Sequence, residues 1–478
     1  MKKKVNGKEL LYVKIAKSLE QQIINEVLKV GDKLPSIRMI CRQHGVSMST
    51  AQNAYYELEA KSLIDPRPQS GYYVSNSFRT KLGIPDISRP LIKPPVKAIT
   101  DIIEDSFKNA GEKNFTNFSR GVPALPLLPI ARLNKGAIHA VRSLPDGGTM
   151  YEPLRGNEKL RKQIAKWSFT WKGSLTADDV VTTAGCISAI SYCLMALTKR
   201  GDTIALESPC FYGILQLAQS LGLKVIELPT NPQSGVDMES LKKIVQKTKL
   251  AACLFVSNFN NPFGSLMPDD HKKEAVKLME KYNVPLIEDD IYGDIYFGDR
   301  RPTCCKSYDE SGMVLLCSSV SKTLAPAYRV GWVAPGKYMD QVSKMKLFHS
   351  LSSTAITHEV IGNFLETGRY EAHLRKLRRT LHANYLQYVR VICEFFPAGT
   401  KISRPQGGLS LWVALPKQID TVDLYNIAVR NKIIFSPGRL FTLQNQFGNC
   451  MRLSYGLEWN EKVENALMLL GKLAKSLM

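Results

Sequence analysis

From about residue 111 onward, short apolar runs alternate with segments of helical spacing. The runs fall at 180–183, 203–207, 224–228, 250–257, 284–289 and 313–318. Between them, stretches such as 187–198, 213–221 and 271–282 repeat apolar residues three and four apart. Strands that alternate with helices in this way predict a mainly parallel α/β sheet with helices on both faces. The tail from 421 to 478 again mixes helix and strand and predicts a smaller α+β lobe.

A different pattern occupies residues 9–74. Leu11, Ile15, Leu19, Ile23 and Val27 recur every four residues and predict a first helix. Gly31 and Pro35 punctuate the chain, and Ser36 is placed to cap a short helix through Arg38, Ile40 and Cys41 to about Gln43. Gly45 makes a turn. Ser47 or Ser49 opens a third helix that buries Ala51, Ala54, Tyr55 and Leu58. Pro66 and Pro68 break that spacing, and Gly71-Tyr72-Tyr73-Val74 reads as a returning strand. Helix, helix, tight turn, helix and hairpin make a winged helix-turn-helix, whose third helix enters the DNA major groove.

These readings divide the chain into a DNA-binding unit (1–76), a linker (77–110) and a larger domain (111–478). The linker sets Pro85, Pro90, Pro94 and Pro95 among Ser, Lys and Arg. An irregular arm packed on the larger domain fits the same residues.

Charge agrees with a nucleic-acid partner. The formal net charge of the 478-residue chain is +21, and the first 80 residues hold 13 Lys/Arg against 7 Asp/Glu. Ten cysteines without a CxxC pair read as reduced residues of a cytoplasmic protein. The seven histidines show no metal-ligand spacing. Met1-Lys2-Lys3-Lys4 has no apolar segment behind it, and no stretch approaches the length of a membrane span. The basic run Arg375 to Arg379 reads as a solvated helix face.

Three strands end on chemically useful residues. One leads to Asn261-Pro262, one to Asp289 with Tyr292 beyond it, and one to Ser319 and Lys322. Open α/β sheets bind ligands beyond the carboxyl ends of their strands. The set suits a pyridoxal cofactor: an amine for a Schiff base, a carboxylate for the ring nitrogen, donors for the ring oxygen. Asp290 and Glu288 read as bystanders.

At this point a resemblance is visible. Ser319-Val320-Ser321-Lys322 with Arg329-Val330-Gly331-Trp332 resembles the S-x-S-K…R-x-G signature of fold-type I aminotransferases. Asn261-Pro262-Phe263-Gly264 is similar to their N-P-x-G, and Asp289-Asp290-Ile291-Tyr292 to their D-x-x-Y. Tyr151 to Gly156 resembles Y-x-P-x-x-G, and Arg452-Leu453-Ser454 resembles the carboxylate-clamping arginine. Residues 31–38, Val46-Ser47, Thr50 and Gly71 resemble the GntR winged helix. The two together resemble the MocR/GabR-type regulators over the whole chain.

The resemblance implies pyridoxal 5′-phosphate on Lys322, paired through its ring nitrogen with Asp289. It implies Asn261 and Tyr292 at the ring oxygen and Phe211 stacked on the ring. Ser319, Ser321, Arg329 and the backbone of Gly185, Cys186 and Ile187 would hold the phosphate. Tyr151 would reach the phosphate of the partner subunit in a homodimer. Arg452 would bind the carboxylate of an amino-acid-like or amine effector. Ser36, Arg38, Ser47, Ser49, Thr50 and Gly71 would face double-stranded DNA. Four positions depart from the family pattern. Met48 stands where a DNA-contacting arginine is usual, Phe211 for tyrosine, Ile187 for glutamine, and Pro123-Ala124 for Pro-Asp.

Three functions fit these residues: a regulator that senses its ligand at Lys322, a working aminotransferase with an added DNA-binding unit, and a DNA-binding protein dimerised by its larger domain. The winged helix favours regulation over turnover as the main role. The intact Lys322–Asp289 pair disfavours a purely structural domain.

Overall fold

A computed structural model describes residues 11–24, 27–60, 63–67, 70–75, 82–89 and 114–478. The chain forms two compact units, Met1–Leu82 and Gly83–Met478.

In the first unit α1 (Leu11–Ile24), α2 (Ile37–His44) and α3 (Met48–Ala60) precede a hairpin of β1 (Ile64–Arg67) and β2 (Gly71–Val74). The Ser36 hydroxyl caps α2 by accepting from the Met39 N–H, and Gly45 closes it in the left-handed conformation. The Ser47 hydroxyl accepts from the Thr50 N–H at the start of α3. Ala51, Ala54, Tyr55 and Leu58 are fully buried on α3, against Ile15, Ala16 and Leu19 of α1. The expected α1 stripe is too long, because Leu11 is 61% and Val27 69% exposed. The described helix stops at Ile24, before Val27, and Leu11 is its first described residue.

The larger unit is built on eight strands: β3 (Val181–Thr183), β4 (Thr203–Ser208), β5 (Lys224–Asn231), β6 (Gly235–Val236), β7 (Ala252–Phe255), β8 (Leu286–Asp289), β9 (Val314–Ser319) and β10 (Gly331–Ala334). Their spatial order is β3-β10-β9-β8-β7-β4-β5-β6. The run from β9 to β5 is parallel. Side-chain alternation explains the two covered faces. Ile204, Leu206, Leu254, Ile287 and Leu315 enter one core with α4 (Cys186–Leu197) and α5 (Tyr212–Ser220). Their neighbours Ala205, Cys253, Phe255, Leu286 and Val314 enter another with α6 (Asp269–Tyr282). Burying each large apolar side chain stabilises by roughly 1.5–3 kcal/mol. Packing on both faces therefore sets these short strands.

β10 is a departure from the expected pattern. It runs antiparallel between β9 and β3, and its Gly331 was expected only as part of a phosphate motif. The smaller lobe also begins earlier than residue 421. Its antiparallel sheet has the order β11 (Lys401–Ile402), β12 (Ser410–Ala414), β14 (Cys450–Ser454), β13 (Ser436–Pro437).

Of the expected linker, residues 83–89 belong to the larger unit and Leu82 is the last of the first, while 77–81 and 90–110 fall outside the described residues. Ser88 Oγ accepts from the Thr230 N–H, and Asp86 pairs with Lys401. The basic run Arg375–Arg379 is not wholly solvated. Arg378, on α7 (Arg369–Phe395), is buried between the Asp294 carbonyl, Glu371 and the Tyr296 ring. It falls within the stripe set by Leu374, Leu377 and Leu381, all buried.

Candidate cofactor site and DNA-binding surface

The parallel strands deliver their carboxyl ends to one rim. Cys317 of β9 lies opposite Asp289 of β8 in register, and β9 runs on two residues past Asp289 to Ser319. Lys322 follows β9 and donates from Nζ to the Gly121 carbonyl at 2.7 Å. Its Nζ also stands 5.9 Å from the centroid of the Tyr292 ring. Burial, then the charge of Arg452, depresses this amine to about 8.

Asp289 is buried, and burial raises its carboxyl to about 6 against the pull of its donors. Two donors hold Oδ1: the Cys186 thiol at 3.3 Å and the Ile291 N–H at 3.1 Å. No described residue donates to Oδ2. Tyr292 is buried beside Asn261, and burial keeps its phenol protonated by raising its pKa.

A cradle forms at the start of α4. Gly185 precedes the helix with φ +92°, and a Cβ there would lie 2.2 Å from Arg329 Nη2. Arg329 Nη2 donates to the Ala184 carbonyl and Nη1 to the Ser321 hydroxyl at 3.4 Å. A Cβ on Gly331 would lie 2.5 Å from the Gly185 carbonyl carbon. Gly331 is therefore required by close backbone approach, and Gly185 by its positive φ. The first N–H groups of a helix have no partner within it and suit an anion. Ser319 and Ser321 are buried beside this helix start, and Ile187 is 39% exposed. Phe211 is half-buried where α5 begins, its ring 4.6 Å from that of Tyr212.

Arg452 of β14 is buried at 2% exposure. Its Nη2 donates to the Ser119 carbonyl and the Ser436 hydroxyl, at 2.7 and 2.8 Å. Nε and Nη1 have no hydrogen-bond partner among the described residues. A Cβ on Gly121 would lie 3.2 Å from Arg452 Nη1 and 3.7 Å from Lys322 Nζ, so the two cations meet over one glycine. Gly121, Ser119 and Ser436 escaped the sequence reading; no local pattern marks a backbone carbonyl or lone serine that matters only through distant partners.

The residues brought together are thus Lys322, Asp289, Tyr292, Asn261 and Arg452, with Arg329, Ser321 and Gly185 as one connected cradle. Tyr151 stands apart as an 81% exposed side chain. Glu288 and Asp290 have structural partners: Glu288 accepts from Ser257 and two backbone N–H groups, Asp290 from Asn258 and Arg301.

The donor set fits pyridoxal phosphate. It offers one amine of depressed pKa, one carboxylate with an oxygen uncommitted, an arginine beside a helix start, and a buried guanidinium with two unpaired nitrogens. Orphaned buried donors are costly unless a ligand or water meets them.

On the first unit, Ser36, Arg38, Arg42, Ser47, Met48 and Ser49 are exposed at α2 and the start of α3. Gly71, φ +105°, is exposed at the hairpin end opposite Arg67. Thr50 is half-buried, its hydroxyl 2.9 Å from that of Ser47.

Two family profiles match the chain. The profile of "Aminotransferase class I and II" matches residues 113–468, and that of "Bacterial regulatory proteins, gntR family" matches 11–74. The chain is 36% identical to the uncharacterized HTH-type transcriptional regulator YjiR of Escherichia coli, over 96% of this chain and 98% of that one. It is 27% identical to the HTH-type transcriptional regulator NorG of Staphylococcus aureus, over 91% and 98%. Among solved structures it resembles LysN, an α-aminoadipate aminotransferase of Thermus thermophilus complexed with N-(5′-phosphopyridoxyl)-L-leucine. That likeness has a TM-score of 0.73 and 24% identity, covering 79% of this chain and 95% of that one.

Proposed function

Because the chain belongs to the MocR-type transcriptional regulators, which join a GntR helix-turn-helix to an aminotransferase class I and II domain, we propose that it reports the occupancy of Lys322 to DNA. The aminotransferase domain implies pyridoxal phosphate as cofactor. The effector is an amino-acid-like molecule or amine, or pyridoxal phosphate itself. The observation that supports this reading is the meeting of Lys322 and Arg452 over Gly121. The lysine amine can meet a carbonyl group while the arginine guanidinium meets a carboxylate a few ångströms away.

When bound, the cofactor supplies an aldehyde and an electron-accepting ring. Lys322 would hold it through the amine. Asp289 would accept from the ring nitrogen, Asn261 and Tyr292 would bind the ring oxygen, and Phe211 would cover the ring. Ser319, Ser321, Arg329 and the Gly185-Cys186-Ile187 backbone would hold the phosphate. Tyr151, exposed on the single chain, would reach the phosphate of the partner subunit in a homodimer. Arg452 would bind the effector carboxylate through Nε and Nη1. Ser36, Arg38, Ser47, Ser49, Thr50 and Gly71 would line the DNA surface. No described helix is long and apolar enough to cross a membrane, and the setting proposed is the cytoplasm.

An effector switches DNA binding only through unequal affinity for two conformations. The test is a spectral titration of the cofactor-loaded protein with amino acids, polyamines and amines, read beside operator binding. A ligand that changes both the spectrum and DNA affinity supports the reading. If every ligand that changes the spectrum leaves DNA affinity untouched, the sensing role is lost. Accumulation of the pyridoxamine form would favour the second reading, an active aminotransferase, for which the intact Lys322–Asp289 pair speaks.

A further inference from the structure

We infer that the Cys186 side chain is a positioning residue, whose thiol fixes the Asp289 carboxylate so that Oδ2 alone faces the cofactor ring. The inference rests on the cofactor reading above. It goes beyond it, because Cys186 was assigned there only through its backbone.

The geometry is specific. Cys186 is the first residue of α4 and is 3% exposed. Its Sγ lies 3.3 Å from Asp289 Oδ1, within reach of a thiol donor. The Ile291 N–H reaches the same oxygen. A carboxylate held by two donors on one oxygen cannot rotate freely about its terminal bond. Its other oxygen is then presented in one direction.

The thiol is itself held in place. The Thr183 hydroxyl donates to the Gly185 carbonyl, and Gly331 packs against Gly185 and the Cys186 nitrogen. One residue thus ties the phosphate cradle, through its backbone, to the ring-nitrogen carboxylate, through its side chain. Other titratable groups also face Asp289: Lys322, Asp290 and Tyr292 beyond the strand ends, Glu207 and Cys210 at the end of β4, and Cys317 of β9. None of them donates a hydrogen bond to its carboxylate. A donor to the charged form holds a carboxyl pKa down, so losing the thiol raises it.

The test compares full-length wild type, C186A, C186S and C193A for the Kd of pyridoxal phosphate across pH. Cys193 lies on the same helix with its thiol 3.7 Å from that of Cys317. C186A is expected to bind about tenfold more weakly, the scale of one hydrogen bond to a charged group. The acid limb of its binding curve should move to higher pH. C186S, which restores a donor, should recover both, and C193A should move neither. Wild-type affinity and an unmoved acid limb in C186A would overturn the inference. So would equal losses in C186A and C193A without rescue by serine, which would mark packing alone. If wild type itself fails to bind pyridoxal phosphate, the cofactor reading falls and takes the inference with it.

Discussion

Lys322 donates a hydrogen bond from Nζ to the carbonyl of Gly121, a residue 201 positions earlier in the chain. The bond holds the amine at the strand rim, and the missing side chain of Gly121 leaves room for Arg452 beside it.

The amine should therefore load its cofactor in a pH-dependent way. Its pKa falls from 10.5 to about 8, first through burial and then through Arg452. The neutral amine is the nucleophile. The rate at which added pyridoxal phosphate turns the protein yellow should rise with pH, with a midpoint near 8. R452Q should move that midpoint upward, and K322A should give no chromophore bound through this lysine. The sign for stability follows from the same shift. Between about 8 and 10.5 the unfolded chain binds more protons at this group. The cofactor-free protein should gain stability from it as pH rises through that window. Stopped-flow absorbance and thermal melts check the two halves.

Replacing Gly331 by alanine puts a methyl group 2.5 Å from the Gly185 carbonyl carbon, backbone against backbone. Overpacking of this kind costs about 1–3 kcal/mol. G331A should melt several degrees lower and bind pyridoxal phosphate more weakly than wild type, because the start of α4 must shift. Unchanged cofactor affinity in G331A would show that the cradle tolerates that shift.

Arg301 is buried between Asp290 and Asp294. R301Q leaves two carboxylates short of a cation, and breaking a buried pair costs roughly 3–5 kcal/mol. Urea unfolding should show that loss. Asp294 is held below the usual carboxylate range by Arg301, with hydrogen bonds from Trp167 and Tyr370, despite burial. Its contribution is present above the unfolded carboxyl pKa and is lost as pH falls through the folded one. The deficit of R301Q should therefore shrink in acid.

DNA binding should fall by roughly 10³-fold or more between 50 and 200 mM salt if ~6 or more phosphates are contacted. Met48 is 52% exposed at the start of α3. M48R should tighten binding and steepen the log–log salt slope by about 0.9, whereas R38A should flatten it by a similar amount. Fluorescence anisotropy across salt concentrations distinguishes these outcomes. A slope unchanged in both variants would remove α2 and α3 from the interface.

The sequence made the rim legible but not its underside. Asn261, Asp289 and Lys322 could be read because each follows a short apolar run, and strand ends converge in a parallel sheet. Gly121, Ser119 and Ser436 were invisible because their roles depend on closeness to residues far along the chain. The Cys186 thiol was missed for a related reason: its motif explains the backbone and says nothing of where the side chain turns. Arg378 was misread although the signal was present. Leu374, Leu377 and Leu381 mark a buried stripe, and position 378 lies within it. β10 was overlooked because Gly331 looked sufficient as a motif residue, and a four-residue strand leaves little periodicity to read.

The shared direction of β4, β7, β8 and β9 has an evolutionary consequence. Asn261, Asp289 and Lys322 follow the ends where these strands finish, and the loops where they begin, such as 199–202, 283–285 and 309–313, lie on the opposite edge. Insertions and deletions there act at the far end of the strands from Lys322, Asp289 and Asn261. Lineages of this architecture are free to drift in length along that edge, and could acquire new appendages on it, while the ligand end stays fixed.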